Sequence, residues 1–166
     1  KAGVNTSISK LEHNNTAALI TGEGTTLTIT GNSSSYGGSF GGTVTVDYTG
    51  GGTFTLGNSN KGTALTPASS PDATLKISSG TLSLFSGNVT WSQKLVMGDG
   101  TTLNVQDGPS VAGYAGYNAT SVNSGGFNFS GATTFGSGVN LTSSWGKNVK
   151  FSGCLLYTSP SPRDGL

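Results

Sequence analysis

Apolar residues recur at every second position in short phrases along the chain, and most of these phrases open with glycine followed by threonine. Clear copies cover residues 24–29, 42–46, 52–56, 73–77, 80–84 and 100–105, and looser copies cover 126–129, 138–141 and 148–151. A period of two predicts β-strands that bury one face. Because one phrase returns so often in 166 residues, it predicts stacked copies of one structural unit.

The alternation also predicts where each side chain points. The predicted core consists of Leu27, Ile29, Val44, Val46, Phe54, Leu56, Leu75, Ile77, Leu82, Leu84, Leu103, Val105, Phe127 and Phe129. The residues predicted to face solvent are Thr28, Thr45, Thr55, Ser83 and Asn104. Burial of one large apolar side chain stabilises a fold by about 1.5–3 kcal/mol. We therefore expect Leu82→Asp to unfold the chain and Ser83→Asp to have almost no effect.

The spacing of the phrases favours an all-β parallel β-helix (β-solenoid). One coil of such a helix takes roughly 20–25 residues and holds two or three short strands, which predicts about six or seven coils over residues 1–153. The alternative is an antiparallel β-sandwich, which also has seven or more short strands separated by turns. Self-similar strand phrases favour the solenoid, because the strands of a sandwich usually differ from one another.

The composition argues against several classes of binding partner. Charged residues make up 9% of the chain and the net charge is +1, so the clustered Lys and Arg that nucleic-acid binding requires are missing. No apolar run approaches the roughly 20 residues that span a bilayer as a helix, and we expect no direct membrane insertion of this segment. The regular apolar pairs argue against the disorder that 28 glycines and so little charge would otherwise indicate.

Residues 154–166 differ in character from the rest of the chain. They contain the only cysteine, the only arginine and two of the five prolines. Residues 154–164 closely resemble translated sequencing-adapter read-through, so 154–166 is predicted to be a non-native or disordered tail. The remaining 1–153 then contains no cysteine, which excludes a disulfide scaffold and a thiolate metal site there.

Residues 25–38, which read Thr-Thr-Leu-Thr-Ile-Thr-Gly-Asn-Ser-Ser-Ser-Tyr-Gly-Gly, resemble the strand repeat of passenger regions in bacterial autotransporters. Residues 81–84 and 100–105 resemble further copies. The resemblance implies a right-handed β-helix that is exported and held at the outer membrane by a C-terminal barrel outside these residues. The chain would then be a fragment of a longer passenger, extracellular on the bacterial cell surface, that continues into further coils of the same chain.

Candidate chemistry is sparse. β-Helices that cleave polysaccharides place several carboxylates close together on one face. Asp99 and Asp107 flank one predicted strand and could form such a pair. Both lie next to glycine, however, which is more typical of solvated aspartates in turns. His13 is the only histidine and has no cysteine near it. The glycine-rich segments lack the Asp of calcium-binding repeats and the Lys-Ser/Thr of phosphate loops. The sequence therefore predicts no catalytic residue, no metal site and no cofactor.

Aromatic residues supply the remaining candidates for contact with a partner. Tyr114 and Tyr117 lie in the longest irregular stretch and are predicted surface contacts, because loops carry recognition more often than the scaffold does. Trp91 and Trp145 are predicted to pack in the core or in turns.

The function predicted from these observations is a non-enzymatic adhesin or structural stalk whose partners would be a host surface, matrix or glycans. The alternative is a β-helical carbohydrate-active enzyme, a polysaccharide lyase or hydrolase. That enzyme would need at least two carboxylates within reach of one another on one face.

Overall fold

The computed structural model describes residues 4–13, 18–57, 70–85, 89–106, 127–143 and 149–158. The described strands are, in chain order, β1 (Thr6–Ile8), β2 (Glu12–His13), β3 (Leu19–Gly22), β4 (Thr26–Ile29), β5 (Ser33–Tyr36), β6 (Ser39–Gly42), β7 (Thr45–Tyr48), β8 (Thr53–Leu56), β9 (Thr74–Ile77), β10 (Thr81–Phe85), β11 (Val89–Trp91), β12 (Lys94–Met97), β13 (Thr102–Gln106), β14 (Phe127–Phe129), β15 (Thr133–Phe135), β16 (Asn140–Ser143), β17 (Val149–Phe151) and β18 (Leu155–Tyr157). No helix accompanies them in these ranges.

The strands stack into parallel sheets that the chain visits in rotation. A seven-stranded sheet has the order β1-β4-β7-β9-β12-β15-β18, and a six-stranded sheet has the order β16-β13-β10-β8-β5-β2. A third face is built from two separate sheets, β3-β6 and β11-β14-β17. We call one passage through these faces a coil. The described residues therefore make six coils and the first strand of a seventh, which confirms the predicted number.

Every described strand pair is parallel, so the predicted parallel β-solenoid is confirmed and the antiparallel sandwich is wrong. The register aligns equivalent positions of the repeated phrase. Leu75 stands beside Val46 on one side and Leu95 on the other, and Leu82 stands between Phe54 and Leu103. Each inward side chain thus packs on its counterpart one coil above and one coil below.

The predicted core residues occupy these inward columns. All fourteen are buried except Leu27, which is partly buried and packs against the core. The columns also contain large side chains that the repeated phrase did not identify. These additional core residues are Tyr36, Phe40, Tyr48, Trp91, Leu95, Met97 and Phe135.

Aromatic rings connect the coils through the core. Phe40 belongs to the second coil and Trp91 to the fourth, yet their ring centroids lie 6.5 Å apart in an edge-on contact. Gln93 reinforces this contact, because its Nε2 donates a hydrogen bond to the Phe40 carbonyl at 3.2 Å. The third coil contributes no described strand to the third face, and 58–69 lies outside the described residues. The second and fourth coils therefore pack directly on each other there.

Ser83 is buried, although it was predicted to be exposed to solvent. Thr28, Thr45, Thr55 and Asn104 are half-buried, as expected for solvated positions within a sheet, but Ser83 is only 2% exposed. Its side chain is shorter than those of Thr55 and Asn104, the register partners on either side of it. The prediction that Ser83 is exposed to solvent is therefore wrong, and the expectation that Ser83→Asp has almost no effect no longer follows from it.

Strand β18 lies in the segment predicted to be a non-native or disordered tail. Leu155–Tyr157 pairs in parallel with Thr133–Phe135 and extends the seven-stranded sheet. An apolar triplet can occupy the edge of a parallel ladder whatever its origin, because backbone groups supply the pairing. Residues 159–166 lie outside the described residues, and a non-native origin of 154–166 stays a prediction.

Glycine is required where the chain enters the six-stranded sheet at close range to the preceding coil. The Thr53 N–H donates to the Asn32 carbonyl at 2.9 Å, which brings Gly52 against the same carbonyl. A Cβ at Gly52 would overlap that oxygen, whereas a Cβ at the adjacent Gly51 would meet nothing within 4 Å. Two neighbouring glycines thus differ in their tolerance of a side chain.

We predict that Gly52→Ala lowers the free energy of unfolding by about 1–3 kcal/mol, because the coils must separate to admit the methyl group. Gly51→Ala is the matched control and should leave stability unchanged or raise it by up to about 1 kcal/mol through the unfolded chain. Urea unfolding followed by circular dichroism measures both. Equal destabilisation by the two substitutions would contradict the close approach at Gly52.

A second prediction concerns the buried serine. Ser83→Asp should destabilise the fold by about 2 kcal/mol or more, because it places a charge without a partner at a buried position. Thr53→Asp lies on the same outward face but at an exposed position, so its effect should stay within about 0.5 kcal/mol. Thermal unfolding of both variants is the measurement, and an unaltered melting temperature for Ser83→Asp would refute the burial of this side chain.

Candidate functional site

Several residues that were candidates for surface contact, catalysis or packing lie outside the described residues. They are Tyr114, Tyr117, Asp107 and Trp145. The proposed surface contact by the two tyrosines therefore stays a prediction. Trp91 is described and belongs to the core, being 2% exposed with its ring 6.4 Å from that of Phe127. Its predicted packing role is confirmed.

Asp99 lies in the turn between β12 and β13 and has a structural partner. Its Oδ1 accepts a hydrogen bond from the backbone N–H of Ser137 at 2.8 Å, which ties the turn of the fifth coil to that of the sixth. Carboxylates commonly accept such backbone bonds in turns. The interpretation of Asp99 as a turn aspartate is thus confirmed.

Asp47 is held by two neighbours on the outward side of the seven-stranded sheet. Its Oδ2 lies 2.9 Å from Lys76 Nζ, and its Oδ1 accepts a hydrogen bond from the Ser78 hydroxyl at 2.7 Å. Lys76 is the register partner of Asp47 one coil further along. The cluster therefore joins the third and fourth coils, and both carboxylate oxygens are occupied.

The remaining described carboxylates with side-chain partners are at the N-terminal end of the stack. Glu12 forms an exposed ion pair with Lys10 at 2.6 Å, and Glu23 accepts from the Thr43 hydroxyl at 3.3 Å. Together with Asp47 and Asp99 they are distributed over different coils, and each contacts a cation, a hydroxyl or a backbone N–H. Within the described ranges, no three His, Cys, Asp or Glu side chains are grouped so as to hold a metal ion.

The outward side of the six-stranded sheet carries an uncharged polar surface over five successive strands. The register aligns its side chains in two columns. The first column contains Ser33, Thr53, Thr81, Thr102 and Asn140, and the second contains Ser35, Thr55, Ser83, Asn104 and Thr142. We call these ten residues the hydroxyl face. Its position follows from the alternation, because the residues between the columns are the inward ones, which are apolar except for the buried Ser34.

The hydroxyl face is accessible along its first column. Ser33, Thr53 and Asn140 are exposed, and Thr81 and Thr102 are half-buried. In the second column, the Thr142 hydroxyl donates to the Asn104 side-chain oxygen at 3.1 Å, which shows that neighbours in a column are within hydrogen-bonding reach. The seven-stranded sheet differs, because its outward side carries Asp47, Lys76 and Lys94.

Ser83 occupies the centre of the second column. Its Oγ is buried and has no hydrogen-bond partner among the described residues. A buried hydroxyl without a partner costs about 1–3 kcal/mol, and such groups in proteins are commonly satisfied by ordered water. This polar atom therefore has unused hydrogen-bonding capacity, which an enclosed water would satisfy. The sequence alone did not identify it, because the alternation placed Ser83 in solvent.

Two buried tyrosines have perturbed acidity. Burial raises the pKa of the Tyr36 phenol above its ordinary value of 10.0, and a hydrogen bond with the backbone of Ile20 lowers it by less. Burial also raises the pKa of Tyr48. The Tyr36 hydroxyl donates to the Ser39 carbonyl at 3.1 Å. Both phenols are neutral at physiological pH and stabilise the core rather than exchange protons.

Comparisons of the chain with protein-family profiles, with curated proteins and with solved structures gave no match. The resemblance to autotransporter passengers and the read-through origin of the tail therefore rest on the sequence. In the part of the chain that the structure describes, no helix has the length and apolar character needed to cross a membrane.

The acidity of Tyr36 predicts a loss of stability in alkali. A folded-state pKa above the unfolded value of 10.0 means that the contribution of Tyr36 is complete below about pH 10 and declines as pH rises through the folded pKa. Tyr36→Phe should make the free energy of unfolding fall less steeply above pH 10, while keeping the aromatic contact with Phe40. Urea titrations between pH 8 and about pH 11.5 test this, and identical slopes for the two proteins would contradict it.

Proposed function

We propose that the chain is a non-enzymatic segment of an exported bacterial surface protein, similar to an autotransporter passenger, that acts as an adhesin or structural stalk. The observation that supports this best is the uncharged hydroxyl face, which repeats over five strands, while the carboxylates of Glu12, Glu23, Asp47 and Asp99 lie on different coils and contact structural partners. An extended repetitive face provides many weak polar contacts and no single reacting centre. Its partners would be a host surface, matrix or glycans.

The stacked architecture also suits an exported segment that continues into further coils. Apart from the contact of Phe40 with Trp91 between the second and fourth coils, each coil packs on the coils directly above and below it. Stability therefore accumulates along the stack, and length can vary without redesign of the core. Residues 1–153 contain no cysteine, so folding after export would not depend on disulfide formation.

Display and turnover assays test the proposal together. We predict that the chain, inserted in place of the passenger of a bacterial autotransporter, reaches the cell surface and resists external protease. The Leu82→Asp variant is the control for folding, because a charge at a fully buried position should leave the displayed segment protease-sensitive.

Turnover is measured on the purified chain with a panel of bacterial and host polysaccharides. The proposal predicts no release of reducing ends or unsaturated products. Turnover that Asp99→Asn abolishes would contradict it and establish the carbohydrate-active enzyme instead. Retention of a folded chain inside the cell would contradict the export part alone.

A further inference from the structure

The hydroxyl face is periodic in two directions. Neighbouring strands of a sheet lie about 4.7–4.9 Å apart, and residues two apart in a strand are separated by about 6.6 Å. Thr53, Thr81 and Thr102 occupy consecutive strands in one column, and the second column runs parallel to it. Nine of the ten side chains therefore present hydroxyl and amide groups on a nearly rectangular net, and Ser83 lies buried at the centre of the second column.

The distance between neighbouring strands along each column is close to the distance between second-neighbour oxygens in hydrogen-bonded water. Two oxygens joined by an O–H···O bond lie about 2.7–2.8 Å apart. In a tetrahedral network, two waters bound to the same water are consequently about 4.5 Å from each other. Equivalent atoms on neighbouring strands lie about 4.7–4.9 Å apart, which differs from this by a few tenths of an ångström, so one water can bridge two neighbouring hydroxyls that have the same orientation. Thr142 and Asn104 instead bond directly, at 3.1 Å.

Ser83 adds a second observation at the centre of this face. Its buried hydroxyl lies between Thr55 and Asn104 in the second column and has no partner among the described residues. An enclosed water beside this hydroxyl would satisfy Ser83 beneath the centre of the net.

The chemistry of the face favours a water lattice over other ligands. None of its ten residues is charged, so no ion imposes a hydration shell of its own on the layer. None is aromatic, and the platform on which sugar rings commonly stack is missing from this set. Each threonine also presents a methyl group beside its hydroxyl, and water next to apolar groups has restricted orientations.

We propose that the hydroxyl face binds the surface of ice through a layer of water held in register by its two columns. The inference goes beyond the proposed surface-protein function and does not require export. Ice is the occupant because a crystal lattice of water repeats indefinitely in two dimensions, as the face does over five strands. Binding of many equivalent positions at once gives a strong total interaction from weak contacts.

The purified full chain tests this through thermal hysteresis, inhibition of ice recrystallisation and incorporation into a growing ice hemisphere. Thr81→Tyr places a ring at the centre of the first column and should reduce recrystallisation inhibition by about tenfold or more. Thr45→Tyr is the matched control. Thr45 is also a half-buried outward threonine in the middle of a parallel sheet, but on the other face, and its variant should retain activity within about twofold.

Thermal unfolding shows whether each variant folds. If Thr81→Tyr does not fold, Thr53→Tyr takes its place, because Thr53 lies at an exposed position in the same column. Absence of hysteresis and of incorporation into ice for the unaltered chain would overturn the proposal. Equal loss by Thr45→Tyr would also overturn it. Binding to an insoluble uncharged polysaccharide that Thr81→Tyr abolishes, without any effect on ice, would assign the face to a glycan and leave the adhesin proposal standing.

Discussion

Packing of each inward apolar side chain on its counterpart in the next coil is the interaction on which the structure depends. Leu82 lies between Phe54 and Leu103, and Ile77 lies between Tyr48 and Met97. Each such side chain contributes about 1.5–3 kcal/mol when fully buried. A shift of one residue in any strand would turn its apolar positions to solvent, so this packing also specifies the parallel register.

The same register determines what the outside of the molecule can do. Positions between the inward residues must face outward, and in the six-stranded sheet these are nearly all serine, threonine or asparagine. The alternation that builds the core therefore also orders the hydroxyl face, with a period set by backbone hydrogen bonding rather than by side-chain contacts. Glycines such as Gly52 permit the close approach between coils that keeps this period constant.

The core and the stacking could be predicted from the sequence because both follow from local alternation. Other features could not, because they depend on contacts between distant segments. Phe40 and Trp91 are in contact although they belong to the second and fourth coils, and no short-range pattern encodes this. Ser83 is buried although the alternation places it towards solvent, and Leu155–Tyr157 joins a sheet although it has no copy of the repeated phrase. The hydroxyl face could not be predicted either, because the register between strands determines which outward residues lie side by side.

The distance between spin labels at Ser33 and Asn140 tests the in-register stack most directly. These two exposed residues stand at opposite ends of the first column, four strand spacings apart, and Cys154 is exposed and must first be replaced by serine. Double electron–electron resonance should give a narrow distribution that corresponds to a Cα separation of about 19 Å. A broad distribution, or a narrow one at a clearly different distance, would contradict the parallel, in-register stack.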